Sequence, residues 1–461
     1  MNAPRTLDQT ILREYDIRGI VGDTLNRDDA IAIGRAFGTM LIEKGGKSAA
    51  VGYDGRLSSP ELEVALIEGL TSVGVDVARV GLGPSPLLYY ATHVLEQDAG
   101  LMITGSHNPP DYNGIKMTTF GHSFFADDIQ KLGVRTSKGD FLEGHGNVQS
   151  HDLQSSYVER LLSDYRGTKD LRIAWDPANG AAGDVLVQLI KTLPGTHFVI
   201  NEKIDGTFPA HHPDPTVESN LYQLKALVAE NSCDLGIGFD GDGDRIGIVD
   251  QHGRVLWGDQ QLVVLAKEIL EEQPGASIVT DVKASQMFFD EITRMGGKPV
   301  LWKAGHSHIK TKMHQLGSPL AGEMSAHIFF QHRYYGYDDA LYAAIRMLSI
   351  LASGEQSLAD ILDALPKFEN TPELRFDCSE ERKFKVIDEV SARLSKMDDI
   401  DVNAIDGVRV STDDGWWLLR ASNTQAVLAA RCESSTQAGL LRLKKALMEQ
   451  LNLSGITPPS F

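Results

Sequence analysis

Apolar residues follow two rhythms along this chain. Between residues 28 and 42, Ile33, Phe37, Met40 and Leu41 recur at helical spacing behind an acidic first turn, which predicts an amphipathic helix ended by Gly45 and Gly46. A short apolar run at 49–51 predicts a strand, the polar turn Asp54, Gly55, Arg56 follows, and a second helix is predicted over 60–73. The same order of strand, acidic loop and helix returns at 171–175 with Asp176, and at 277–279 with Thr280 and Asp281. The spacing of these acids is close to one domain length, so the pattern suggests an α/β unit used three times.

The C-terminal pattern is of another kind. Short strands predicted at 374–377, 408–410, 416–419 and 427–431 precede a helix over 436–451, which reads as a small α+β domain. The periodicity is diluted at 139–150, 251–253 and 366–372, which sets the expected domains at 1–151, 152–253, 254–366 and 367–461.

Composition narrows the function classes. A chain of 461 residues with 42% hydrophobic and 23% charged residues reads as folded throughout. Its net charge of −19 opposes long-range attraction to nucleic acid or to an anionic membrane, so an anionic substrate needs a local basic cleft. Cys233, Cys378 and Cys432 are far apart and match neither a metal pattern nor a disulfide framework, which fits a reducing compartment. The first residues carry charges without an apolar signal core, and no apolar run is long enough to span a bilayer. The expected location is the cytoplasm.

Four segments carry chemistry. In LMITGSHNPPDYNGIK, residues 101–116, an apolar strand ends at Thr104 and Gly105; Ser106 follows, before His107, Asn108 and two prolines that forbid a helix. The serine therefore sits on a rigid loop at the carboxyl end of a strand, where α/β proteins place ligands, with Lys116 available nearby. The rival reading is a turn in which Ser and Asn cap their own backbone. The spacing lacks the glycines of a hydrolase elbow.

In LGIGFDGDGDRIGIV, residues 235–249, Asp240, Asp242 and Asp244 alternate with glycine between two apolar strands. Arg245 and Gln251 stand where an EF-hand requires Gly and Glu, which excludes that motif. Three carboxylates around one point repel by roughly 4 kcal/mol per pair at an effective dielectric of 20, and a cation removes that cost. Hard oxygen donors with coordination positions left open suit Mg²⁺; the alternative is a hydrated Asp-Gly turn.

The third segment, AGEMSAHIFF at 321–330, offers Glu323, Ser325 and His327 to sugar hydroxyls, or is a polar turn leading into a core strand. Upstream, Lys303, His306 and His308 lack nearby cysteines and read as polar loop residues rather than a metal site. The fourth, LRASNTQAVLAAR at 419–431, gathers Arg420, Ser422, Asn423 and Thr424, a phosphate-friendly set or a capped turn.

Taken together, from REYDIRG at 13–19 to RASNT at 420–424, these motifs resemble the α-D-phosphohexomutases, most closely the bacterial phosphomannomutase/phosphoglucomutase branch, over nearly the whole chain. The resemblance implies four domains around a central cleft, three of them topologically alike, and a monomer. It implies that Ser106 is a phosphoserine with Asn108 close by, and that Asp240, Asp242 and Asp244 hold Mg²⁺ with a phosphoserine oxygen while Arg245 neutralises charge. Tyr15, Arg18, Lys116, Lys283 and His306 are implied to line the cleft. The loop with Glu323, Met324, Ser325 and His327 is implied to bind the sugar, and Arg420, Ser422, Asn423 and Thr424 to clamp the phosphate not being transferred.

The implied reaction interconverts hexose 1-phosphate and hexose 6-phosphate, of mannose and glucose, through a hexose 1,6-bisphosphate that also serves as activator. Arg18, Lys116 and His327 are the candidates for proton transfer. Ala326 stands where the branch usually has Gly, and Gln425 with Ala426 replaces a more common Thr-Pro. Competing readings are a phosphoglucosamine mutase, a non-catalytic phosphosugar sensor, and an Mg²⁺ phosphatase with an aspartate nucleophile.

Overall fold

The computed structural model describes residues 4–397, 400–423 and 425–458. Three sheets, of seven, five and four strands, share one four-strand order. In the first, Ser48–Tyr53 lies between Asp76–Leu82 and Ala99–Ile103, parallel to both, and Tyr112–Thr119 runs antiparallel beside Ala99–Ile103. In the second, Arg172–Asp176 lies between Thr196–Val199 and Leu235–Phe239, and Ile246–Asp250 is the antiparallel neighbour. In the third, Ser277–Asp281 lies between Lys298–Trp302 and Leu320–Gly322, and Ile328–Phe330 closes the set. The repeat legible in the strand, acidic loop and helix order is thus a repeat of topology.

Helices cover these sheets. Arg27–Glu43 is opened by Asn26, which accepts from Asp28 and Asp29 N–H groups while Asp29 answers the Asn26 amide, a reciprocal cap. Ser59–Ser72 follows the strand Ser48–Tyr53, with Pro60 in its first turn where a missing N–H costs nothing. The first sheet has its own core, including Phe37, Leu66, Leu101 and Ile115. The second and third share one, because helices Gly258–Glu272 and Ala340–Ser353 pack apolar faces toward both.

The last unit is an antiparallel sheet in which Gly415–Ala421 pairs with Val408–Thr412 and Val427–Ser434, covered by Gln437–Leu453. A further helix, Glu380–Leu394, was not anticipated from the sequence. Its buried Val386, Val390 and Leu394 keep helical spacing, but most of its other positions are polar or charged, which hides the apolar stripe. No helix among the described residues is long and apolar enough to cross a membrane.

Candidate active site

In each of the three similar sheets, the connection between the third parallel strand and its antiparallel neighbour carries the singled-out residues. The first connection holds Ser106, the second the three aspartates, the third Glu323 to His327. The acids that mark the repeat brace two of them. Asp54 accepts from the Thr104 hydroxyl at 2.8 Å and the Gly105 amide at 3.1 Å, and Asp281 accepts from the Met324 amide at 3.1 Å.

The serine loop is held from inside by Arg56, a residue of the polar turn after Tyr53. Its guanidinium is buried and donates to the carbonyls of Ser106, Asn108, Pro109 and Tyr112. A Cβ at Gly105 would lie 2.3 Å from Arg56 Nε, so only glycine lets the loop close over the guanidinium. Ser106 itself takes φ +49°, a left-handed conformation rare for serine and tolerated where the surroundings over-determine it.

Ser106 Oγ donates to Asp240 Oδ2 at 3.2 Å across 134 residues of chain. Asp240, Asp242 and Asp244 are each 0% exposed, with oxygens within 4.8 Å of one another, so this group could hold a metal ion. The loop points Asp240 Oδ1 back at the amides of Asp244 and Arg245, each 3.1 Å away, which leaves Oδ2 for the serine. Asp242 Oδ1 is buried without a hydrogen-bond partner. Hard, anionic, partly unsatisfied oxygens of this kind fit a small divalent cation.

Lys116 supplies positive charge to the trio, reaching Asp242 Oδ2 at 2.6 Å and also Asp244. Burial disfavours its charged form, but the two carboxylates outweigh burial and hold its pKa well above that of an ordinary lysine. Asp240 shows the opposite balance: burial and then the charges of Asp242 and Asp244 push it well above the usual carboxylate range. One cation does not neutralise three acids.

The loop of residues 323–327 meets the aspartate loop through a bridge between Arg245 and His327. His327 Nε2 is 3.3 Å from Asp244 Oδ1, and Nδ1 is 3.4 Å from Glu323 Oε2. Burial opposes the imidazolium, but the charge of Asp244, with the hydrogen bonds that the ring donates to Asp244 and Glu323, reverses the sign and raises His327 to about 9. Burial keeps His107 and His306 well below the ordinary imidazole value. His306 opens the helix His306–Leu316 instead of lying in a loop, because Gly305 at φ +120° turns the chain into it. Its ring lies 5.6 Å from His327 and 5.7 Å from Tyr15.

Ala326 sits at φ +66°, where its Cβ is crowded and glycine is favoured. Its carbonyl accepts from the Ile246 amide at 3.1 Å, so the conformation is fixed by the neighbouring unit. Ala326→Gly is expected to raise stability by about 1 kcal/mol, read as a higher melting temperature, because the strain at this position exceeds glycine's entropic disadvantage.

Most of the other singled-out residues converge on the same region. Arg18 donates to Asn108 Oδ1 at 3.2 Å and pairs with Asp16. Asn423 Nδ2 donates to the Tyr15 hydroxyl at 2.8 Å, joining the two ends of the chain. Ser325 Oγ is 3.3 Å from His327 Nδ1. Arg420 pairs with Asp406, and the Ser422 carbonyl accepts from Lys383 at 2.6 Å. Thr424 lies outside the described residues.

Lys283 stands between Asp281 at 3.6 Å and Glu373 at 3.5 Å. Burial opposes the Glu373 carboxylate, yet Lys283 and Arg375 lower its pKa from 4.5 to about 2. A depressed carboxyl stabilises the fold above its unfolded pKa and loses that contribution as pH falls through the folded value. Glu373→Gln is therefore expected to melt below the parent at pH 7, with the gap closing on acidification toward about pH 2.

Family models for the phosphoglucomutase/phosphomannomutase α/β/α domains I, II and III match residues 9–143, 155–253 and 257–368, and the model for the C-terminal domain matches 373–450. The chain belongs to this family. It is an enzyme of the phosphoglucomutase/phosphomannomutase type by full-length likeness. It is 43% identical to a phosphomannomutase/phosphoglucomutase of Pseudomonas aeruginosa, over 97% of this chain and 96% of that one. It is 39% identical to a phosphoglucomutase of Neisseria gonorrhoeae, over 96% and 98%. A crystal structure of a family protein from Burkholderia thailandensis superposes with a TM-score of 0.92 at 40% identity, covering 97% of this chain and 98% of that one.

Proposed function

We propose that this enzyme interconverts the 1- and 6-phosphates of mannose and glucose through a phosphorylated Ser106 and a hexose 1,6-bisphosphate. The observation that carries the reading is the Ser106 hydroxyl at 3.2 Å from a buried carboxylate of the aspartate trio. A serine in water is a poor phosphoryl carrier. On a fixed loop beside an acidic group suited to a cation, it is aligned for in-line transfer, which needs positioning and electrostatics more than covalent help.

Asp240, Asp242 and Asp244 would hold Mg²⁺, which when bound supplies positive charge to the transferring phosphoryl oxygens. Lys116 keeps Asp242 and Asp244 ionised and in place, and Arg245 adds a second cation beside the same loop. Glu323 and Ser325 accept and donate to sugar hydroxyls, with Met324 lying between them. Arg420, Ser422 and Asn423, with Thr424, hold the phosphate that is not moving, while Tyr15, Lys283 and His306 complete the walls.

In the forward step the P–O bond to Ser106 breaks as a P–O bond to the free sugar hydroxyl forms, and the hydroxyl proton must leave. Of Arg18, Lys116 and His327, arginine does not deprotonate, Lys116 is locked between two acids, and His327, raised to about 9 beside Asp244 and Glu323, is protonated at neutral pH and accepts only after losing that proton. His327 is the one of the three that sheds its proton most readily, and we assign it that transfer in its neutral form. The bisphosphate then turns end over end, returns its other phosphate to Ser106, and leaves the isomer. Bisphosphate supplied from outside acts as activator by recharging a bare serine.

The net charge of −19 supports free phosphosugars over nucleic acid or membrane as partners, and the free, buried cysteines support a cytoplasmic enzyme. We take it to act as a monomer. Intact-mass measurement should find one added phosphoryl group, mapped to Ser106, and a coupled assay should show isomerisation of both glucose 1-phosphate and mannose 1-phosphate. Mass without phosphate after incubation with glucose 1,6-bisphosphate, or preference for glucosamine 6-phosphate, would overturn the assignment.

A further inference from the structure

The polar groups of Ala304 are taken by residues from opposite ends of the chain. Its N–H donates to Asp406 Oδ2 at 2.9 Å, and its carbonyl accepts from the Tyr15 hydroxyl at 2.8 Å. The next amide, that of Gly305, donates to Glu323 Oε1 at 2.6 Å. Gly305 has no room for a side chain, since a Cβ would lie 2.4 Å from the Tyr15 ring. One short segment therefore registers the first unit, the sugar loop and the C-terminal unit against each other.

Asp406 has a second partner. Its Oδ2 lies 3.1 Å from Arg420 Nε and 3.1 Å from Nη2. The two side chains are 12% and 10% exposed, so water does not compete strongly for the pair. The backbone fixes their approach: at Gly407, with φ +79°, a Cβ would sit 2.4 Å from the Leu419 carbonyl and 2.6 Å from Arg420 Cβ. The turn bearing Asp406 is thus pressed onto the strand bearing Arg420.

We propose that Asp406 is a positioning residue for the phosphate clamp. It grips the Nε and Nη2 edge of Arg420, ties that grip to the Ala304 amide, and leaves Nη1, which Asp406 does not touch, to meet the phosphate that is not transferred. The proposal rests on the clamp reading of Arg420 given above. An unheld arginine has many rotamers, and ordering it on binding weakens affinity; a carboxylate on one edge orders it beforehand without using up its five donors. Because the stationary phosphate is bound alike before and during transfer, the effect belongs in KM and not in kcat.

The test is steady-state kinetics, in both directions, of Asp406→Asn, Asp406→Glu and Arg420→Ala, with melting temperatures measured alongside. Asparagine keeps an oxygen for the Ala304 amide and removes the charge facing Arg420. Its KM is expected to rise about tenfold with kcat within about threefold of the parent, and Glu is expected to recover part of the loss. Asp406→Ser, equally uncharged, replaces Asn if that variant does not fold. A KM that is unchanged or lower in the uncharged variant, while Arg420→Ala raises it, overturns the proposal and leaves the clamp standing. So does a fall in kcat alone. An unchanged KM in Arg420→Ala overturns the clamp reading, and the proposal with it.

Discussion

Ser106→Ala is expected to lower kcat by about 10³-fold or more and to abolish the added phosphoryl mass, while leaving the melting temperature close to that of the parent. The hydroxyl makes one hydrogen bond to Asp240 and one contact to His107, and the conformation of its loop depends on other atoms: Arg56, Asp54 and the Thr104 hydroxyl, which accepts from the Ser106 amide. Removing Oγ therefore removes the proposed phosphoryl carrier without releasing the loop. The measurement is kcat with glucose 1-phosphate, without added bisphosphate, paired with intact mass. Turnover near the parent level from an unphosphorylated variant would point to a carrier elsewhere, or to a phosphatase-like site built on an aspartate.

Lys116→Met is expected to act on both stability and activity. The ammonium lies 4% exposed between two fully buried carboxylates, so its loss leaves a cluster of uncompensated acids. Removing one partner of a buried ion pair costs about 3–5 kcal/mol, and a metal-free sample of the variant should melt correspondingly lower. Added Mg²⁺ should raise the melting temperature of Lys116→Met more than that of the parent, because the cation then meets charge that the lysine no longer offsets. Activity should stay depressed by about 10²-fold or more even at saturating Mg²⁺, since an ordered cation beside the transferring group is missing. Equal Mg²⁺ responses in parent and variant would show that the trio does not bind the ion.

Much of this molecule was legible along the chain. Helical spacing located the helices Arg27–Glu43 and Ser59–Ser72, because one buried face forces apolar residues into that period, and apolar runs located the strands around the chemical loops, which are buried on both faces. The recurrence of Asp54, Asp176 and Asp281 at the end of the strand that lies between two parallel neighbours in each unit announced the repeat, and two of those acids brace the loops that carry chemistry. The segments with Ser106, with the aspartate trio and with Glu323 to His327 were identifiable because glycine, proline and ionisable residues interrupt apolar strands there.

Local pattern did not reveal what depends on distant neighbours. Arg56 looked like one polar turn residue among many, yet it is the buried post on which the serine loop hangs. Asp406 carries no motif, and its meaning comes from Ala304 and Arg420. Residue types and periods are written into the sequence because they answer to local backbone geometry and to one apolar face at a time. The sign of a buried charge, the strain at Ser106 and Ala326, and the meeting of Tyr15 with Asn423 across 408 residues depend on what folding brings within a few ångströms. Only the tertiary structure sets the local dielectric and the partners, and with them the chemistry each side chain can perform.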